Sequence, residues 1–517
     1  MAMPHSRRPA SCVHTTVASP HPAPSGSRRA ALAVAALTAL AACDRLSARA
    51  DDGRAESHVA RPDSLTTISS AGGVLEATLT AAMSPITIGG TTFPSMVYDG
   101  AYLPPVLRVR RGDSLKLHLV NRLEPSDEVT NLHYHGTSVR PRVPSDNIFV
   151  HVEPGRSYDY RLHFPPGHDR GLFWYHPHPH GRSEDQVLGG MSGVLVVEGF
   201  LEGHFPWLRD VPEEILMLKA LRMPGAKTGA PHTKNINGQL DASFTIRPGE
   251  LQFWRIANIA ADAYFNLQID GHRVWLLAND ANVVRRPILV DSLFLPPGAR
   301  AEVLVHGGPP GRYAIRHRAV DTGPAGDPNP AVQLGTLEST GAPVDRTDAV
   351  TRLNTMAEVR EGVADIERLR TSPITRRRTF VFSETADGNQ FFIDGRQFDP
   401  DRVDTRVAIG DVEEWTIENT SGEVHAFHIH QTDFLVTEIN GVPQTAHSLH
   451  DTVNMPYAVN GVPSVVRIVI PFTEPQIAGR FVYHCHILEH EDGGMMQVIE
   501  VRPRGGTPTA PTRGRPH

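Results

Sequence analysis

RVRRGDSLKLHLVNRL, residues 108–123, is the phrase on which the fold turns. A turn at Gly112 and an acid, Asp113, lead into leucines at 115, 117 and 119. Successive side chains of a strand point to opposite faces, so this alternation marks a sheet with one face in a core. The phrase returns as TIRPGELQFWRIANIA (245–260) and RVAIGDVEEWTIENTS (406–421). Leu251 and Phe253 carry the alternation in the second copy; Val412, then Trp415 and Ile417, carry it less strictly in the third. The segments around it recur too. VYDGAYLPP (97–105), NINGQL (235–240) and FFIDGRQF (391–398) precede it. PGRSYDYRLHF (154–164), PPGARAEVLVHG (296–307) and PSVVRIVIPF (463–472) follow. GLFWYHPHPHG (171–181), GRYAIRHRAV (311–320) and GRFVYHCHILEH (479–490) close each unit.

Repetition on this scale predicts one domain present three times. The fold class is all-β: three consecutive Greek-key β-sandwich domains at 71–200, 208–345 and 374–503. The joints are EGFLEGHFPW (198–207) and a charged, weakly helical linker, 346–373. Residues 44–70 read as a flexible tether and 504–517 as a disordered tail.

Composition agrees. A chain of 517 residues allows roughly three domains of about 150 residues each. Gly 44 and Pro 43 suit a turn-rich β protein. The net charge is −7, and without residues 1–43 there are 46 basic against 57 acidic residues. That balance argues against nucleic acid as a partner.

Residues 1–43 read as an export signal. Arg28-Arg29 precede thirteen apolar or small residues, Ala30–Ala42, too few to span a membrane. The paired arginines resemble a twin-arginine leader. Leu40-Ala41-Ala42-Cys43 resembles a lipoprotein processing site, with Cys43 as the lipidated first residue and a possible membrane tether; the alternative is an ordinary secretory signal that discards Cys43. The expected location is the periplasm or cell envelope.

Only Cys12, Cys43 and Cys485 exist, so no disulfide framework is available. A lone thiol beside histidines is better explained as a metal ligand than as inert core. FVYHCHILEHEDGGMM (481–496) alternates His484, Cys485 and His486, which directs the two imidazoles to one face and the thiol to the other. Thiolate, imidazole and a distant thioether are the ligands of a blue-copper electron-transfer site. Three more clusters carry histidines two apart: His133 and His135 in NLHYHG, His176 and His178 in WYHPHPHG, and His428 and His430 in HAFHIH. Eight imidazoles exceed the needs of one metal and imply a cluster. His425, Cys485, His490 and a methionine, Met495 or Met496, are left for the separate blue site. The pair in the second cluster can also be read as His178 and His180. Histidines fill the first and third copies only; in the second, Arg316-His317-Arg318 stands in their place, and His317 reads as a surface or structural residue.

These motifs resemble the multicopper oxidase family, in its three-domain, bacterial, laccase-like branch, over residues 71–503. The resemblance implies cupredoxin domains with four coppers, one type 1, one type 2 and two type 3. It assigns His425, Cys485, His490 and axial Met495 to type 1, His133 and His428 to type 2, and His135, His176, His486 and His178, His430, His484 to the type 3 pair. It favours His176 over His180, because the family carries the pair directly after an aromatic dipeptide, here Trp174-Tyr175. It implies one-electron oxidation of a donor at type 1 coupled to reduction of dioxygen to water at the trinuclear cluster. Glu491 and Asp146 fall where the family places catalytic carboxylates, Glu491 as proton donor and Asp146 tuning water at type 2. The methionines at 83, 96, 191, 217, 223, 356, 455, 495 and 496 are scattered, with no thioether-rich run over the donor side. That favours phenols or aromatic amines as donors over a cuprous or other metal-ion oxidase. His447, His450, Asp451 and Met455, in the loop 443–464, read equally as the border of the donor pocket or as surface loop residues with no role. A copper-free cell-envelope relative lacks the cysteine and several histidines, all kept here.

Overall fold

The computed structural model describes residues 65–124, 128–227 and 229–505. The export signal, the tether up to residue 64 and the tail beyond 505 lie outside the described residues.

The three repeated phrases become the strands Ser114–Arg122, Leu251–Asn258 and Asp411–Asn419. Each lies centrally in its sheet. Its parallel neighbour is Val74–Ile88, Glu213–Leu221 or Arg376–Glu384. Its antiparallel neighbour is Ser157–His163, Arg300–His306 or Ser464–Phe472. A second sheet in each copy is built on Gly171–His176, Gly311–His317 or Gly479–Cys485. These strands pair antiparallel with His133–His135, Phe265–Ile269 and His425–Ile429 on one side. On the other side lie Gly193–Val197, Val332–Ser339 and Met496–Arg502. Six sheets result, two per copy, with the chain crossing between them. The all-β, three-sandwich expectation holds.

The alternation of the first phrase reports its core directly. Leu115, Leu117 and Leu119 pack with Tyr160, Phe173 and Tyr175. Trp415 and Ile417 do the same in the third copy, with Phe427, Tyr483 and Cys485. The second copy behaves differently. Its core takes Trp254 and Ile256, the opposite parity. Leu251 and Phe253 lie on the outer face, under Phe200, Leu201 and Leu208 of the first joint and Leu353 and Val359 of the second. That strand is buried along its whole length. A sheet covered on both faces shows no alternation, and that is why the wrong face was legible.

One boundary differs, and the helical linker takes definite form. Thr67–Ser69, assigned to the tether, is a strand parallel to Val106–Val109. It joins through main-chain bonds and buries little, so no hydrophobic pattern marks it. The linker is two helices, Thr347–Thr355 and Arg360–Thr371. The first buries Leu353 against the second domain, and the second buries Ile366 and Leu369 against the third, beside Val412 and Val469.

His317 is structural. It is buried; its Nδ1 accepts the backbone N–H of Asn266 at 3.0 Å, and Nε2 lies 2.8 Å from Asn329 Oδ1. Burial, then the nearby Lys234 ammonium, lower its pKa from 6.5 to about 4. The unfolded chain therefore binds the extra proton in that interval, and the ring's contribution to stability is lost as pH falls through it. In His317→Gln, the decline of melting temperature between pH 6.5 and pH 4 is expected to be shallower than in the parent; equal slopes would exclude this ring as a source of acid sensitivity.

Candidate metal centre

The strand Gly479–Cys485 divides its side chains as the alternation requires. His484 sits opposite His428 in the neighbouring strand, and Cys485 opposite Phe427. Cys485 turns into the apolar core of the third domain, in the same cluster as Met495. Met496 instead packs with Ile148, Val482 and Val498, on the His484 side.

Around Cys485 the donor atoms converge. Sγ is 3.7 Å from His425 Nδ1 and 3.5 Å from His490 Nδ1, and the two nitrogens are 3.0 Å apart. The far nitrogens are anchored: His425 Nε2 lies 3.0 Å from Ser421 Oγ, and His490 Nε2 3.1 Å from Glu423 Oε1. Phe391 stacks on the His490 ring at 4.2 Å. Burial pushes the Cys485 thiol up and lowers His490 to about 4. A neutral imidazole is ready to ligate, and a thiol so buried loses its proton only when a cation takes the proton's place on sulfur and the proton is released to solvent.

The eight remaining histidines gather where the first and third domains meet. His135 Nδ1 lies 3.1 Å from His486 Nε2. His484 Nε2 is 3.4 Å from His178 Nε2 and 3.2 Å from His430 Nε2. His133 stacks on His430 at 3.8 Å, and His135 on His428 at 3.9 Å. Three groups form, the first two sharing His135: His133, His135 and His428; His135, His176 and His486; His178, His430 and His484. His180 is exposed against Phe398, so His176 and His178 are the pair that the fold brings in.

Four of the rings are held from behind by an acceptor, which fixes their tautomer. Carbonyl oxygens face Nδ1 of His176 (Pro177, 2.9 Å), His428 (Asp451, 2.8 Å) and His484 (Cys485, 2.8 Å). Both oxygens of Asp146 lie 3.1 Å from His133 Nδ1. A nitrogen facing such an acceptor carries the proton, so the opposite nitrogen offers its lone pair. Nε2 of His133, His176 and His428 is buried without a hydrogen-bond partner. An unsatisfied buried polar atom costs about 1–3 kcal/mol, and three in one place fit a metal cluster. Burial, then the neighbouring rings, keep His135, His178 and His430 neutral.

Both candidate carboxylates reach this centre. Glu491 is fully buried, with its oxygens 3.3 Å from His178 Nδ1 and 3.2 Å from His484 Nδ1. Ser183 Oγ donates to it at 3.1 Å. Asp146 stands behind His133, accepting also from Tyr134 N at 3.2 Å and Gln431 Nε2 at 2.6 Å. The sequence reading missed Gln431, whose one signal is that it directly follows His430. It misplaced Asp451: that residue borders the histidine cluster, with Oδ1 3.4 Å from His135 Nε2, and not the donor side. His450 pairs with Asp280 at 3.2 Å, and Met455 is buried opposite His425.

Three sequence models, each described as multicopper oxidase, match residues 80–200, 208–342 and 371–505 in tandem. The chain belongs to the multicopper oxidase family. Its three sandwiches are therefore cupredoxin-like domains; the family implies copper, and the histidine and cysteine groups are compatible with copper sites. A multicopper oxidase of Staphylococcus aureus is 26% identical over 419 residues, covering 78% of this chain and 83% of that protein. Among solved structures, a Campylobacter jejuni multicopper oxidase described as a metallo-oxidase superposes with TM-score 0.70 at 24% identity, covering 85% and 94%. A laccase-like multicopper oxidase of an Ochrobactrum species, described as active on lignin model compounds, gives TM-score 0.68 at 23% identity, covering 85% and 100%. The family couples small-molecule or metal-ion donors to dioxygen. Among the described residues, no helix is long and apolar enough to cross a membrane.

Proposed function

We propose that this chain holds four coppers and oxidises phenols or aromatic amines one electron at a time, reducing dioxygen to water. His425, Cys485, His490 and Met495 would hold type 1 copper; His133 and His428 type 2; His135, His176, His486 and His178, His430, His484 the type 3 pair. Bound copper supplies the redox steps and dioxygen chemistry; the chain fixes position and potential. One observation carries the reading: Cys485 in one ligand group is bonded directly to His484 and His486 in the other, so a few covalent bonds link the donor side to the oxygen side.

The chain's own residues handle protons at both ends. Glu423 touches His490 Nε2 and hydrogen-bonds Glu384, which burial and this neighbour raise to about 8. This half-buried carboxyl pair can accept the proton that a phenol or amine loses with its electron. At the other end Glu491 is the proton donor, and Asp146 acts through His133.

A second reading, oxidation of a metal ion such as Cu(I), is favoured by the same edge. Asp327 and Glu489 join Glu384 and Glu423 in the field at His490, and an acidic rim attracts cations. The test is metal analysis with an absorption spectrum, then oxygen uptake with a phenol, an aromatic amine, Cu(I) and Mn(II). About four coppers, a blue band and turnover of the phenol are expected. A colourless protein after copper loading would sink the enzyme. In Glu423→Gln, a roughly tenfold rise in KM for cations beside an unchanged KM for a neutral phenol would favour the metal-ion reading.

The leader supports export, with or without lipidation of Cys43; the mass of the mature N-terminus distinguishes the two.

A further inference from the structure

The second domain holds no copper ligand, yet it sends one side chain to the edge of the trinuclear centre. Arg300 opens the strand Arg300–His306 and is buried between all three domains. Its Nη1 donates to both oxygens of Asp451, at 2.8 and 2.7 Å, in the third domain. Its Nε donates to Leu172 O at 3.1 Å, in the first-domain strand that ends at His176. Its own backbone N–H is held by Asp280 at 2.8 Å.

Asp451 grips two histidines at once. Its Oδ1 faces His135 Nε2 at 3.4 Å, and its carbonyl faces His428 Nδ1 at 2.8 Å. Thr452 Oγ1 donates to the same Oδ1 at 2.9 Å. With the proton of His135 directed to Asp451, the lone pair rests on Nδ1, the atom that faces His486. His135 is thus turned opposite to His133, His176 and His428, which present Nε2.

The backbone leaves room for this arrangement. Gly136 has φ +81, and a Cβ there would stand 2.4 Å from Arg300 Nη2 and 2.7 Å from Asp451 Oδ2. A Cβ on Gly298 would stand 3.0 Å from both His135 Cε1 and His486 Cδ2. A buried ion pair is costly to desolvate and is weak evidence of stability. Here its geometry points to orientation of ligands.

We infer that Arg300 is a positioning residue of the second domain: through Asp451 it sets the orientation and tautomer of His135 and His428 at the type 2 and type 3 coppers. The inference rests on the copper assignment proposed above.

The test compares the copper-loaded full chain with Arg300→Met and Arg300→Lys, reading copper per chain, the blue band, and the type 2 signal by electron paramagnetic resonance. In Arg300→Met the blue band per chain is expected to remain, because the type 1 ligands lie in another core. Copper is expected to fall by at least one per chain, with the type 2 signal lost or its hyperfine splitting altered. Arg300→Lys restores the charge without the fork and is expected to recover copper but not the wild-type splitting. A full copper complement with an unaltered type 2 signal in Arg300→Met would overturn the inference. So would loss of the blue band in step with the type 2 signal while Arg300→Lys matches wild type throughout, since that is packing alone. A wild-type chain that binds no copper would overturn the assignment itself.

Discussion

Cys485→Ser is expected to abolish the blue absorption and to lower turnover of any donor by at least about three orders of magnitude, the scale on which removing one part of a catalytic unit disables the whole. The thiol is the one donor able to become an anionic sulfur ligand, between two imidazole nitrogens 3.5 and 3.7 Å away, inside an apolar core. A serine hydroxyl fills nearly the same space, but it is a hard, weak ligand that stays protonated there. The rest of the centre should survive, because His484 and His486 leave the strand on the other face. Three coppers per chain and an intact type 2 signal are therefore expected beside the missing colour. A persistent blue band would remove Cys485 from the metal.

Glu491→Gln is expected to lower kcat by about 10²- to 10⁴-fold, the range for loss of a positioned acid, with all copper retained. Burial, reinforced by the charge of Asp492, raises the Glu491 carboxyl well above its ordinary range and keeps it a neutral acid. Glutamine keeps the shape and the hydrogen bond from Ser183 but has no proton to release. An acid of raised pKa works below that value and fails above it, so the wild-type rate falls on the alkaline side. In the variant that limb should flatten onto the low rate. Unchanged turnover and pH profile, measured with full copper, would end the proton-donor role.

What could be read from the sequence follows from how local each feature is. Histidines two apart in extended chain are aimed alike, within a strand at His133 and His135 and at the ends of strands in the other three pairs, so the pairs were legible, and so was the opposite aim of Cys485. The glycine-acid-strand phrase was legible in the first and third copies because the face away from the core is solvated in the first and closed over only at Val412 in the third. It misled at Leu251 and Phe253, where the joints cover the second face. Asp451 and Gln431 act across a domain boundary. Gln431 meets Asp146 over a separation of 285 residues, and nothing in either neighbourhood announces the other. Arg300 sits in PPGARAEVLVHG, which reads only as the start of a strand. The competition between Met495 and Met496 needed the register of the returning strand, which places Met496 opposite His484.

The division of the histidines between the two ends of the chain has a bearing on biosynthesis. His135 waits for His486 across 351 residues, and contacts so distant in sequence are slow to form. A nascent chain that has completed its first domain displays half of the imidazoles with no counterpart, and no fragment that stops before residue 486 contains a whole cluster. The proposed type 1 ligands, from His425 to Met495, all belong to the third domain. Filling of the proposed cluster would therefore have to follow synthesis through residue 486, and would report that the first and third domains have folded and met.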